Sequence, residues 1–452
     1  MPARMEFNFD LGRKEASRSG ARANGEPMRL LVLGDFSGRA AADRPPLASR
    51  PTQRVDVDNL DDTLRRLAPR VSLPAGELRF EEMEDFHPDA LYARFELFDT
   101  LRQARAQPPA SGGDLLGSLL GPGAAAAVPR GAAPATGVEA FIHSIVAPHI
   151  VPDTSAQTQS YTSAVDAAIA EQMRKLLHES AFQHIEAAWR GVQWLIANAE
   201  LDEDLQLHLF DVTRDELLAD VVAASGQLTQ TGLYRALADR WRNVPGGQSW
   251  SALVGLYRFG PGDTDVGLLA ALGLIAAQAG GPLLAEADPA LAQSDAAQLA
   301  GWQALRRSEA ASSIGLAAPR LLLRLPYGKG SDPVAAFAFE EFAGTPVHEE
   351  FLWGNPGLAV ALLIARAFSA RGWQFEPGDE REIGDLPAYT FMHDGEKELQ
   401  ACAEKYLGDQ GGQALLEAGL MPLLSHRQRN AVTVMRFQSV AEPAAALAGA
   451  WC

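Results

Sequence analysis

The stretch from Trp302 to Gly357 restricts the possible folds of this chain more than any other. It reads WQALRRSEAASSIGLAAPRLLLRLPYG, continues through DPVAAFAFEEF, and reaches FLWGNPG. Trp302 and Leu305, with the charged Arg306, Arg307 and Glu309, read as a short helix. Pro319 and the apolar run Leu321, Leu322 and Leu323 read as the start of a buried strand, which Pro326, Tyr327 and Gly328 end. A brief apolar run between turn signals suits a strand covered on both faces. Trp353, Gly354, Asn355 and Pro356 form a second turn, and an apolar helix over 357–368 follows. The region therefore reads as helix, strand, irregular acidic segment and helix, with the strand inside.

The rest of the chain divides around it. Residues 1–27 are polar and read as a flexible arm. One short strand falls at Glu6–Leu11, where Phe7 and Phe9 alternate with polar residues. Residues 28–105 read as a first compact unit. Arg29–Leu33 is a strand stopped by Gly34 and Asp35, and Val55 and Val57 alternate before a helix at Leu60–Leu67. Leu78 and Phe80 mark another strand. Pro88 starts a helix along which Leu91, Phe95, Phe98 and Leu101 recur at helical spacing. Residues 106–137 are rich in Ala, Gly and Pro, have too few large apolar side chains to fold, and read as a linker.

Residues 138–452 read as a second, larger unit. Phe182, Ile185, Trp189, Val192 and Ile196 form one stripe of a helix over Ala181–Ala199. Strands are expected at Leu205–Val212, Trp250–Phe259 and Asn430–Val440, and helices at Asp215–Val222 and Val266–Ala277. Strands separated by helices indicate an α/β class, with mixed sheets and helices packed on them.

Composition narrows the function. At 47% apolar and 21% charged residues the chain has the balance of a soluble globular protein. A net charge of −18 argues against nucleic acid as a partner, because that surface needs clustered Lys and Arg. Its apolar runs fall short of the ~20 residues of a membrane helix, so direct membrane insertion is not expected. Two cysteines, Cys402 and Cys452, and an N-terminus without an apolar signal core point to the cytoplasm.

Tests for chemistry return no catalytic set, so the chain does not read as an enzyme and no cofactor or metal is expected. None of the nine histidines forms HExxH. Ser37 in GDFSG stands one place too late for a GxSxG elbow. The run PYGKGS lacks the first glycine and the hydroxyl residue of a phosphate loop. Cys402 and His393 have no supporting third group, and the stripe carrying Trp189 and Trp194 reads as core. Glu340 and Glu341 read as solvated or Arg-paired acids. Arg306, Arg307, Arg320 and Arg324 are near enough in sequence to form Arg–Glu pairs that orient elements.

The same residues carry a resemblance. The pattern W–LR–SE–PR–LRLPYG, then F–FEE, then WGN, resembles the large subunit of the type VI secretion contractile sheath, TssC or VipB. FQHIEAAWRGVQWLI at 182–196 resembles the helix that opens the folded domain of that family. LLVLGDFSGR, VDVDNLDDTL and EDFHPDAL resemble, in the same order, the small sheath subunit TssB or VipA. The resemblance implies a sheath-like two-part architecture and a structural role, as a natural fusion of the two sheath partners. It also implies partners: the chain itself or other sheath subunits, the inner tube protein, the baseplate, and the AAA+ ATPase ClpV. Family-motif and assembly candidates are Trp302, Arg306, Glu309, Arg320, Arg324, Glu340, Glu341, Trp353 and Asn355, with Phe7 and Phe9 in the arm. Three departures stand out. Ser308, Glu309 and Ala310 replace the family's SED run, the linker stands where the small subunit has a helical part, and no long segment follows Val432–Val440. These departures leave room for a second role, an accessory protein that caps, nucleates or regulates the apparatus.

Overall fold

The sequence MRLLVLG has no polar face, and it forms a strand, β1 (Met28–Gly34), in which every residue is buried. Side chains alternate across a strand. Leu30 and Val32 accordingly enter one core, and Leu31 and Leu33 enter the other. The structure is a computed structural model describing residues 26–74, 76–106, 157–295, 298–426 and 428–451. The arm with Phe7 and Phe9, the linker over 107–137, and residues 138–156 lie outside the described residues.

In chain order, β1 is followed by β2 (Gln53–Val55), α1 (Leu60–Leu67), β3 (Arg70–Leu73), β4 (Gly76–Arg79), α2 (Pro88–Arg94) and α3 (Asp99–Ala106). Then come α4 (Gln157–Leu177), α5 (Ser180–Asn198), β5 (Leu205–Asp211), α6 (Arg214–Ala223), β6 (Ala252–Phe259), α7 (Asp263–Ala279) and β7 (Leu283–Ala287). The motif region supplies α8 (Ala300–Arg306), β8 (Ile314–Ala318), β9 (Leu321–Leu322), β10 (Trp353–Gly354) and α9 (Pro356–Arg371). The chain continues through β11 (Glu382–Ile383), β12 (Tyr389–His393), β13 (Glu396–Gln400), α10 (Asp409–Glu417), β14 (Met421–Ser425) and β15 (Val432–Val434).

Nine of these strands form one mixed sheet in the order β11-β15-β14-β8-β7-β6-β1-β5-β2. The strands from β14 to β5 run parallel, and antiparallel strands flank them on both sides. Helices α4, α5 and α9 bury their apolar residues on one face of the sheet, and α6, α7 and α8 on the other. The α5 stripe forms as the periodicity predicts, with Phe182, Trp189 and Val192 fully buried.

β1 does not head a separate sheet. It pairs with β5 from Met28↔Leu205 to Gly34↔Asp211, and with β6 from Leu30↔Ala252 to Leu33↔Gly255. Trp189 Nε1 adds a hydrogen bond of 2.9 Å to the Phe36 carbonyl. Residues 28–105 are thus joined through β1 and β2 to the sheet of the larger unit, while β3 and β4 form a two-stranded sheet of their own. Cutting the chain at an engineered protease site within 120–125 is therefore expected to leave both fragments in one peak on a sizing column. Immediate separation would show that these ladders do not hold the parts together.

Several expectations need correction. The motif strand that enters the large sheet is β8, before Pro319; the strand expected from Leu321 is buried but short, pairing with β10 over Leu321–Leu322 and bridging Ala403. β8 reads IGLAA because space is short: a side chain at Gly315 would strike Met421 and Leu284 in the flanking strands. Of the strand expected at Asn430–Val440, only Val432–Val434 joins the sheet. Beyond it Gln438 turns inward and donates to the Leu416 and Leu420 carbonyls. The helix starting at Pro88 breaks at Phe95, which is extended, so Leu91 and Leu101 sit on two helices. Val57 lies outside the short β2 and is exposed.

Candidate functional site

Most of the motif residues meet on the face of the sheet covered by α5. Arg324 follows β9 and points at the middle of that helix. Its Nε donates to Glu186 at 2.9 Å, and Nη1 and Nη2 form a fork on Glu341 at 2.7 and 3.0 Å. Arg190, one turn after Glu186, donates to Glu186 at 2.6 Å and to the Tyr327 hydroxyl at 2.6 Å. The Tyr327 amide donates to Glu341 at 2.7 Å. Two acids and two arginines thus balance inside the protein, with Glu186 and Glu341 both out of solvent. Buried charges persist only when paired and hydrogen-bonded in this way. Burial alone would raise the Glu341 carboxyl. The Arg324 charge, with His178 Nε2 at 3.5 Å and the Tyr327 amide, outweighs it and holds Glu341 down to about 2.

Arg320 anchors a second set. Its guanidinium forks onto Glu404 at 3.0 and 3.1 Å, and its centre lies 5.9 Å from the Trp353 ring. Burial opposes the Glu404 charge, but the Arg320 hydrogen bonds and charge prevail and bring it to about 2. Glu286 on β7 behaves differently. Burial pushes it up to about 7, and Arg320 and Arg258 only partly offset that, at 3.9 and 3.6 Å.

Asn355 explains the WGN motif. Its Oδ1 caps α9 by accepting from the Gly357 amide at 2.9 Å. Its Nδ2 donates to the Gly255 and Tyr257 carbonyls, where β6 shifts register against β7. Gly357 brings α9 close to β7: an added side chain would sit 3.2 Å from the Ala285 amide nitrogen. Trp353 Nε1 donates to the His348 carbonyl.

The remaining candidates are dispersed. Trp302 is buried and packs with α7, and Arg306 Nε donates to the Val440 carbonyl at 3.0 Å. Glu309 and Glu340 are exposed, and Glu340 accepts from the Lys329 amide at 3.2 Å. Cys402 is buried and faces the Leu386 carbonyl, while His393 bonds Thr345, so the two have different partners.

A third ion cluster has no counterpart in the sequence reading. At the carboxyl ends of β1 and β5, Arg44 donates to Asp35 at 2.6 Å and to Asp211 at 3.2 Å. Arg50 forks onto Glu216 at 2.8 and 3.2 Å. Ser37 donates to Asp211 at 2.7 Å, which turns GDFSG onto the end of β5. The only local signal is the Gly34-Asp35 stop within GDFSG; Arg44 and Arg50 lie among Pro45, Pro46 and Pro51 in a stretch that looks like surface.

Beside these clusters, at the carboxyl ends of β1, β5, β6 and β7, lies a cleft of ≈ 660 Å³. The strand order reverses there, since the chain passes from β1 to β5 on one side and then to β6 on the other. Among the described residues no helix is long and apolar enough to cross a membrane, and no group of three or more His, Cys, Asp or Glu side chains is set to hold a metal ion.

The tail sheath family described as EvpB/VC_A0108, tail sheath N-terminal domain, matches residues 159–441. The type VI secretion system VipA family, VC_A0107 or Hcp2, matches residues 15–110. The type VI secretion system sheath protein TssC1 of Pseudomonas aeruginosa is 31% identical over 315 residues, covering 65% of this chain and 63% of its own length. Sheath protein TssB1 of the same organism is 32% identical over 92 residues, which are 18% of this chain and 54% of TssB1. The chain therefore spans less than two thirds of each of these relatives. The first family match alone covers more than half of the chain, and the chain therefore belongs to the EvpB/VC_A0108 tail sheath family.

Proposed function

We propose that this chain is a structural subunit of a type VI secretion contractile sheath, assembling around an inner tube and driving its ejection by contraction. One observation carries the reading. β1, from the region that matches VipA, is paired on both sides by strands from the region that matches VipB. Two sheath-related parts sharing a central ladder make one block, as a subunit that transmits force to its neighbours requires. In this reading residues 1–27 are an arm, 28–105 the small-subunit-like part, 106–137 a linker and 138–452 the large-subunit-like part. The buried Glu341 and Trp302, with the half-buried Arg324 and Asn355, keep the block in shape, while the exposed Glu309 and Glu340 and the arm residues Phe7 and Phe9 face neighbours.

The partners are the chain itself or other sheath subunits, the inner tube protein and the baseplate, with ClpV as the ATPase that takes the sheath apart. The work is done in the cytoplasm and involves no catalytic step. Glu341 and Glu186 are tied to arginines, and Cys402 is buried with its thiol pushed up by burial. Light scattering and negative-stain microscopy of the purified chain, alone and with sheath subunits, test the proposal. Concentration-dependent assembly is expected. Removing residues 1–20 should weaken it without lowering the melting temperature of the core, because an alternating arm can add to a neighbour's sheet edge. A chain that stays monomeric in every condition would remove the sheath reading.

A further inference from the structure

We propose that the cleft at the strand-order reversal binds an organic cation, an ammonium or guanidinium group carried on an apolar stem. Its position is one where parallel sheets form ligand crevices, outside the carboxyl ends of strands whose order reverses. The volume of ≈ 660 Å³ is that of a small-ligand site.

The charges around it select the sign of the ligand. Three arginines line the cleft, and each already faces an acid outside the lining. Arg214 pairs with Asp265, Arg258 with Asp288 at 3.0 Å, and Arg320 with Glu404 at 3.0 Å. Asp35 in the lining is likewise held by Arg44 at 2.6 Å. Among the described residues, Glu286, Asp215 and Glu349 remain in the lining without a cation of their own at hydrogen-bonding distance.

Glu286 is the residue that points to a ligand. It is 9% exposed, lines the cleft, and its side chain accepts no hydrogen bond among the described residues. Its nearest cations stay 3.6 and 3.9 Å away because their own acids hold them. The Glu286 carboxylate thus keeps only these two long ion pairs, and at 12% side-chain exposure its oxygens have room for a donor from the cleft. The lining beside it includes the apolar Phe351, Leu352, Trp353 and Leu256. Apolar residues beside a carboxylate without a hydrogen-bond donor fit a hydrocarbon stem with a cationic tip. Two sources offer that chemistry, a free diamine and the lysine side chain of another polypeptide.

Calorimetric titration of the full chain at about pH 8, where Glu286 is ionised, tests the site. The probes are 1,5-diaminopentane, Nα-acetyl-lysine N-methylamide and the neutral 1,5-pentanediol. At least one ammonium probe is expected to saturate a single site, with pentanediol silent. Glu286→Gln should weaken that binding about tenfold or more, with the melting temperature unchanged. Should Glu286→Gln lower the melting temperature, Glu349→Gln on the exposed rim is the second variant and should weaken binding at least about twofold. Tighter binding of the diamine assigns the site to a free polyamine, and tighter binding of the blocked lysine assigns it to a partner's side chain. Failure of both ammonium probes to saturate, equal binding of pentanediol, or wild-type affinity in the Glu variants would each overturn the proposal. None of these results bears on sheath assembly, which is read by scattering.

Discussion

Replacing Arg324 with leucine is expected to destabilise the protein by about 3–5 kcal/mol, the range for stranding buried charge. Arg324 is the cation shared by Glu186 and Glu341, and neither acid reaches solvent. Arg190 remains near Glu186, but the fork on Glu341 is lost. Arg324→Lys should fall between wild type and Arg324→Leu, because lysine keeps the charge without the planar fork. Urea denaturation midpoints read both effects, and a midpoint for Arg324→Leu close to wild type would show that the network contributes little.

The same network sets an acid limit. Glu341 is held at about 2 in the folded chain, below the ~4.3 of a free glutamate. Its folded value is depressed, so its stabilisation is complete above the free value and is lost as pH falls from there toward 2. Glu404 acts in the same window and the same sense. The melting temperature of wild type should therefore drop between about pH 4 and 2, and the drop should be shallower in Arg324→Leu. Equal slopes would mean that Arg324 does not depress Glu341.

Leu322→Asp is the second large effect, at about 3 kcal/mol or more. Leu322 is 1% exposed and packs with Phe351 and Trp353 in a cluster apart from the two main cores. Arg320 and Arg324 nearby are tied to Glu404 and Glu341, so a carboxylate there must either stay buried or pull the β9–β10 ladder open. Glu349→Ala, at an exposed position nearby, should leave the melting temperature unchanged. Thermal melts of the two variants decide the matter, and a wild-type melt for Leu322→Asp would show that the ladder is dispensable.

These residues also show what the sequence made legible. The α5 stripe and the apolar α9 were readable because period and composition agree over many residues. β1 was readable because its leucines stand next to a Gly-Asp stop. β8 was not, since Gly315, Ala317 and Ala318 are small for packing reasons that only the flanking strands reveal. β14 carries Pro422 and joins the sheet nonetheless, against the usual bias of proline away from interior strands. The expectation of Arg–Glu pairing held for Arg324 with Glu341 and failed to find Glu186, which lies 138 residues away in sequence. Glu286 gave no signal at all. Its character comes from burial beside arginines committed elsewhere, a property of tertiary structure alone.

The central place of β1 also bears on how this protein is made. The strand leaves the ribosome before both of its neighbours: β5 begins about 170 residues later and β6 about 220 residues later. At a synthesis rate of roughly 5–20 residues per second, β1 waits on the order of ten to thirty seconds for its first neighbour. During that time seven residues destined for full burial are without a sheet, in a contact pattern whose long loops slow closure. The nascent chain is then a natural client for a holding chaperone, and the time it stays bound should lengthen if rare codons slow the ribosome before Leu205.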